Sequence, residues 1–197
     1  MAARAIFLDR DGTINREGGY LSETEELSLE PAAAEGLGIL RQAGFLLVVV
    51  SNQSGVARGY FPEDAVRRFN EALSRALEAE GVRIDRYYFC PHYPGGVVPG
   101  YSLVCECRKP KPGLLLQAAQ EADLALSRSY SVGDAARDLE AGRAAGTKTV
   151  LVLTGYGQQA ANEVRQRGLA DHVAEDLADA ARWIVADAAS GGKIVDG

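Results

Sequence analysis

The segment Asp9-Arg10-Asp11-Gly12-Thr13 places two carboxylates at i and i+2 directly after a short apolar run. In extended backbone that spacing puts both on one side. Two anions so close repel, so they need a shared proton or a cation. Hard carboxylate oxygens suit Mg2+. Gly12 lets the chain turn sharply after the pair. A helix cap or plain turn also explains an isolated Asp-x-Asp-Gly. A calcium loop would need a ladder of later oxygen ligands and a closing Glu, which do not follow here.

Three more polar clusters follow apolar runs or precede helical patterns. Ser51-Asn52-Gln53-Ser54-Gly55 offers a hydroxyl, amides and backbone N–H groups suited to phosphate oxygens. A polar turn is the plainer alternative. Cys107-Arg108-Lys109-Pro110-Lys111-Pro112-Gly113 crowds three cations into backbone stiffened by proline, or is simply a solvated basic loop. Val132-Gly133-Asp134 is followed by Asp138, and the i,i+4 spacing puts the two carboxylates on one face of a helix. A helix-capping aspartate is the alternative. Cys90, Cys105 and Cys107 also fall close together, with His92, one of two histidines, among them. Three cysteines cannot all pair, which argues against a disulfide framework.

Alternating elements must carry these clusters. Ala5–Leu8, Phe45–Val50, Arg86–Phe89, Ser129–Val132, Thr149–Leu153 and His172–Ala174 read as strands. Helical patterns run from Pro31 to Gly44, from Pro62 to Gly81, onward from Pro112, from Ala135 to Gly146, and through Leu177, Ala181, Ile184 and Val185. Such alternation predicts an α/β class: a doubly wound, mostly parallel sheet with helices on both faces. Chemistry in such sheets sits beyond the carboxyl ends of the strands.

The 197 residues predict a single domain over 1–190 with a C-terminal tail at 191–197. At 47% hydrophobic and 24% charged residues, the chain can bury a core without disulfides. A net charge of −6 argues against nucleic acid or anionic membrane as a partner. No apolar run is long enough to span a bilayer, and the N-terminus lacks a secretory pattern. A cytoplasmic protein, and a monomer, is the expectation.

Taken in order, the four clusters resemble the motifs of the haloacid dehalogenase superfamily across nearly the whole chain. The likeness extends to its branch of heptose-bisphosphate and histidinol-phosphate phosphatases. It is carried by Asp9 to Asn15, by Asn52-Gln53-Ser54-Gly55-Val56-Ala57-Arg58-Gly59, and by Cys105-Glu106-Cys107-Arg108-Lys109-Pro110-x-Pro112-Gly113. The resemblance implies a capless fold with a zinc-binding loop over 90–107, because no gap between motifs is long enough for a cap domain.

The resemblance also assigns roles. Asp9 would be the nucleophile, forming an aspartyl-phosphate, and Asp11 the general acid and then base. Ser51 and Lys109 would hold the transferring phosphoryl oxygens. Mg2+ would be bound by Asp9, the Asp11 backbone carbonyl and Asp134, with Asp138 orienting Lys109 or the metal waters. Cys90, His92, Cys105 and Cys107 would form a closed Cys3His zinc site that fixes Arg108 and Lys109; buried free thiols are the alternative. A flap from Arg16 to Leu21 would supply Glu17, Gly18, Gly19 and Tyr20 to the substrate, joined by Asn52, Gln53, Ser54 and Arg108. Arg108 would hold a group remote from the reacting phosphate. The implied substrate is a small phosphorylated metabolite. The implied reaction is hydrolysis of the 7-phosphate of a heptose 1,7-bisphosphate, with histidinol phosphate as the alternative substrate. From another class, the chain could be an inactive, zinc-stabilised binding module. Two positions depart from the branch: Ala135 stands where the heptose phosphatases place a lysine, and Gly18 brings no side chain.

Overall fold

A computed structural model describes residues 2–20 and 24–190. Leu21 of the expected flap and the 191–197 tail lie outside the described residues. Six strands form one sheet: β1 (Ala5–Leu8), β2 (Leu46–Asn52), β3 (Arg86–Cys90), β4 (Tyr130–Gly133), β5 (Lys148–Val152) and β6 (His172–Ala174). Their order is β3-β2-β1-β4-β5-β6, and every pairing is parallel.

Helices α1 (Ala33–Gln42), α2 (Glu63–Ala79), α3 (Gly113–Ala122), α4 (Ala136–Ala145), α5 (Gly157–Gln166) and α6 (Leu177–Ser190) connect the strands. They cover both faces, so the central strands are apolar on both sides. In β1, Ile6 and Leu8 pack with Leu37 and Leu40 of α1, Leu73 and Leu77 of α2, and Ile184 of α6. The alternate residues Ala5 and Phe7 pack with Leu114, Leu115 and Ala118 of α3 and Ala141 of α4. This two-residue alternation is why a continuous apolar run can serve two cores.

One helix escaped the sequence reading. Within α5 only Gly157 and Val164 are buried, so the segment Gly-Gln-Gln-Ala-Ala-Asn-Glu-Val-Arg-Gln carries too thin an apolar stripe to register as periodic. It docks through Val164 against Leu139 and Leu151.

The chain leaves β1 to build β2 and β3 on one side, then crosses to β4, β5 and β6 on the other. The loops after β1 and β4 therefore diverge at the switch in strand order, where such sheets open a crevice.

Candidate active site

Asp9 is the first residue past β1, held in register by its N–H donating to Val132 O of β4 at 2.9 Å. Lys109 reaches it from the segment ahead of α3. Its ammonium donates to Asp9 Oδ1 and to Val50 O, both at 2.7 Å, and lies 2.7 Å from Asp138 Oδ1. Asp9 and Lys109 are both buried. Burial alone would lower the lysine pKa, but the Asp138 and Asp9 charges and their hydrogen bonds outweigh it and raise the pKa. The two carboxylates thus favour the charged form of the lysine.

Three carboxylates crowd this point. Asp9, Asp134 and Asp138 each present an oxygen within 4.8 Å of the others. Asp138 is already committed: Oδ1 faces Lys109, and Oδ2 accepts the Ala135 N–H at the start of α4 at 3.1 Å. Asp134 is not. Its Oδ2 accepts the Tyr156 N–H at 2.8 Å, while the buried Oδ1 has no partner. Burial first, then the Asp9 and Asp138 charges, push the Asp134 pKa up to about 8. Burial and the Asp138 charge push Asp9 up to about 6, against the pull of Lys109 and Arg137.

A buried carboxylate oxygen without a donor is costly unless a proton or cation sits on it. Hard oxygens, unpaired and converging, fit Mg2+. The cradle is close: a Cβ on Gly12 or on Gly155 would come within 2.2 Å of Asp134 Oδ2, and Gly12 has φ +78°. Only glycine fits there. The Ser51 hydroxyl, at the end of β2, is buried and likewise unpartnered.

Asp11 is turned away from this cluster. Arg10 grips it in fork fashion, Nε to Oδ1 and Nη2 to Oδ2, each at 3.0 Å. Asn15 Nδ2 and Gln53 Nε2 donate to the same carboxylate at 2.9 and 3.0 Å. Burial would raise its pKa, yet the Arg10 charge and these hydrogen bonds bring it below the usual carboxylate range. Arg10, fully buried, is itself fixed by Asn70 Oδ1 at 3.0 Å and by the Phe69 ring 4.4 Å away.

Above these groups opens a cavity of about 270 Å3. Asp9 and Asp11 line its floor, and Asn52, Gln53, Ser54 and Arg108 line its walls. Glu17, Gly19 and Tyr20 of the flap also line it, and the Gly19 N–H donates to Glu17 Oε1 at 2.6 Å. Ser51, Lys109 and Asp134 are buried and are not among the lining residues, and exposed Gly18 is not among them either. The Asn52 side chain is spent on backbone, since its amide and carbonyl bond the Lys109 C=O and N–H. Sequence reasoning gave no role to three further lining residues, Arg58, Arg137 and Tyr156. Arg58 stands inside the second motif, and Arg137 directly precedes Asp138; the type and place of each were the available signal.

The second cluster closes beside Arg108. The Cys107 sulfur is 3.1 Å from Cys90 Sγ, 3.3 Å from Cys105 Sγ and 3.2 Å from His92 Nδ1. Cys90 and Cys105 are 3.5 Å apart. These separations are too long for a disulfide. Zn–S bonds of about 2.3 Å set tetrahedral sulfurs roughly 3.8 Å apart, somewhat wider than the 3.1 to 3.5 Å seen here. One nitrogen and three sulfurs around a common point could hold zinc, with no place left for a water ligand.

Known proteins resemble this chain along most of its length. A family model described as HAD-hydrolase-like matches residues 106–180. The D-glycero-beta-D-manno-heptose-1,7-bisphosphate 7-phosphatase of Yersinia pestis is 45% identical, covering 92% of this chain and 95% of the relative. The D-glycero-D-manno-heptose-1,7-bisphosphate 7-phosphatase of Thermosynechococcus vestitus is 42% identical, with 93% and 96% covered. Among solved structures, D,D-heptose 1,7-bisphosphate phosphatase of B. bronchiseptica, complexed with magnesium and phosphate, superposes with a TM-score of 0.81. It is 34% identical, over 93% of this chain and 99% of that one.

Proposed function

Because the chain belongs to the haloacid dehalogenase-like phosphatases, alongside the heptose-bisphosphate 7-phosphatases, we propose that it removes the 7-phosphate of D-glycero-D-manno-heptose 1,7-bisphosphate. The observation that carries this reading is the surround of Asp9. The Lys109 ammonium touches it, while a buried hydroxyl on Ser51 and a buried oxygen of Asp134 are left without partners. A phosphoryl group and a cation would satisfy all of them.

In this reading Asp9 attacks phosphorus, and the bond from phosphorus to the sugar oxygen breaks as the aspartyl-phosphate forms. Asp11, ionised in the free site, must carry a proton in the substrate complex to deliver it to the departing alkoxide, and then takes one from the water that hydrolyses the intermediate and restores Asp9. Ser51 and Lys109 hold the equatorial oxygens, and Asp138 keeps Lys109 aimed by pairing with it. Mg2+ would be held by Asp9, Asp134 and the Asp11 backbone carbonyl, and would supply charge neutralisation on the phosphoryl oxygens. Zinc would be held by Cys90, His92, Cys105 and Cys107. Glu17, Gly19, Tyr20, Gln53, Ser54 and Arg108 would face the sugar. Three thiols poised for a metal rather than a disulfide suit a reducing cytoplasm, and a monomer suffices because each proposed ligand comes from one chain. Among the described residues no helix is long and apolar enough to cross a membrane.

The test is phosphate release from both anomers of the heptose bisphosphate and from histidinol phosphate, at saturating Mg2+. The heptose substrate should give the highest kcat/KM, with the beta anomer named for the Yersinia pestis relative preferred. A higher value for histidinol phosphate would overturn the assignment.

A further inference from the structure

Asp11 owes its direction to an arginine, and that arginine owes its own to α2. Arg10 is fully buried, and one edge of its guanidinium, Nε and Nη2, donates to the two Asp11 oxygens, each at 3.0 Å. The remaining nitrogen, Nη1, donates to Asn70 Oδ1 at 3.0 Å. The Phe69 ring covers one face, its centroid 4.4 Å from the guanidinium carbon. A guanidinium is a rigid plane. Fixing one nitrogen and one face therefore fixes the edge presented to Asp11, and the bidentate pair keeps the carboxylate in line with that edge.

This anchor is set into the core. α2 buries Ala65, Val66, Phe69, Asn70, Leu73 and Leu77, and Asn70 is the polar member of that face. An amide in an apolar stripe costs stability unless it is hydrogen-bonded, and the bond that its oxygen accepts comes from Arg10. Asp11 is already supplied with donors by Asn15 and Gln53, at 2.9 and 3.0 Å, and its side chain, 16% exposed, reaches the cavity. What Arg10 and its anchor add is direction.

We propose that Asn70 and Phe69 are positioning residues, acting through Arg10 to aim the Asp11 carboxylate at the water that hydrolyses the aspartyl-phosphate. The inference rests on the phosphatase reading above and deepens it. In that step the water oxygen bonds to phosphorus, the bond from phosphorus to the Asp9 oxygen breaks, and Asp11 takes the proton that the water gives up. Inorganic phosphate and the Asp9 carboxylate are left. Neither α2 residue touches the reacting atoms.

The experiment follows p-nitrophenyl phosphate with the Mg2+- and zinc-loaded protein, by stopped flow and in steady state, for wild type, N70A, N70D and F69L. Nitrophenolate leaves without a proton, so kcat/KM reports phosphorylation of Asp9, and kcat reports whichever of phosphorylation and hydrolysis is slower. N70A should lower kcat roughly 10- to 100-fold, with KM falling in proportion and kcat/KM staying within about threefold of wild type. Nitrophenolate should then appear in a burst of about one equivalent per chain. Acid quenching of N70A during turnover of the heptose bisphosphate should likewise trap phospho-enzyme. N70D keeps an oxygen for Arg10 Nη1 and should return kcat toward wild type. F69L keeps the core filled but removes the ring face, and should show the same pattern at roughly 3- to 10-fold; it carries the test by itself if N70A fails to fold. Equal losses in kcat and kcat/KM, an unchanged kcat in N70A and F69L, or an N70D no better than N70A overturns the anchor and leaves the phosphatase reading standing. A wild type that hydrolyses neither phosphate ester overturns the phosphatase reading and the anchor with it.

Discussion

Asn52 and Lys109, 57 positions apart, hold each other by two backbone-directed bonds: Asn52 Nδ2 to Lys109 O and Lys109 N to Asn52 Oδ1, each 3.0 Å. The pair welds the end of β2 to the segment ahead of α3, so the ammonium at Asp9 is placed by an amide on another strand. Replacing Asn52 with Ala should cost about 1–3 kcal/mol of stability for two lost bonds. Misplacing Lys109 by even an ångström should lower kcat on the order of 100-fold. N52D should be as damaging, because it turns an oxygen toward the Lys109 carbonyl. Thermal melts and steady-state rates of both variants check this; near-wild-type kcat in either would mean that Lys109 is held by its ion pairs alone.

Asp9→Asn should separate activity from stability. It should abolish turnover, since a carboxamide cannot form the phosphoryl ester. In Mg2+-free protein it should also raise Tm at pH 8. Asp9 is held above its usual pKa by burial and the Asp138 charge, so its ionised form opposes folding and a neutral isostere does not. Retained phosphatase activity in this variant would refute the covalent route.

The same carboxylates set a pH dependence. Asp9 and Asp134 are raised from 3.8 to about 6 and about 8. A raised carboxyl pKa contributes stability that is fully present below the unfolded value and is lost as pH climbs through the folded one. Without Mg2+, and with zinc retained, Tm should therefore fall as pH rises from 6 to 9. Saturating Mg2+ should flatten that fall, and binding near pH 7 should release protons, measurable as a buffer-dependent heat by calorimetry. A Tm that rises across this range without Mg2+ would contradict the buried-acid picture.

Asp11→Asn should lower kcat by roughly 10^2- to 10^4-fold on alkyl phosphates, the range for losing a general acid. With p-nitrophenyl phosphate, whose leaving group needs no proton, formation of the phospho-enzyme should suffer far less than its hydrolysis. Pre-steady-state bursts would show it. Equal loss in both steps would assign Asp11 a purely structural part.

Stripping zinc with a thiol-reactive mercurial and a chromophoric chelator should release about one equivalent per chain, as one closed four-ligand site requires. The freed 90–107 loop should cost on the order of 3 kcal/mol by closure entropy, or roughly 6–12 °C in Tm at this length. Activity should fall with it, because Arg108 and Lys109 directly follow the ligand Cys107. Unchanged melting after complete removal would deny the site its structural part.

Much of this was legible before any coordinates. The parallel, doubly wound sheet follows from apolar runs alternating with helical stripes, because burial on both faces demands that pattern. The four polar clusters were legible for the same reason: each lies within a few residues of an element boundary that the sequence marks. The Cys90, His92, Cys105 and Cys107 cluster was legible as metal-ligating residue types close in sequence, whereas the pairing of Asp9 with Asp134 around Mg2+ came only from the family resemblance. What only the folded chain decided are contacts between distant residues. That Asp138 spends both oxygens, on Lys109 and on the start of α4, depends on a lysine 29 positions earlier in the chain arriving at 2.7 Å. Asp11 faces Arg10, Asn15 and Gln53 rather than its neighbour Asp9 because strand geometry ends at Leu8 and the turn redirects it. The stacking of Arg58 and Arg108 on Tyr93 has no sequence signature, since neither spacing nor periodicity encodes where two loops cross. Local pattern reports what a segment must bury; it is silent on which side chains from separate segments end up competing for the same charge.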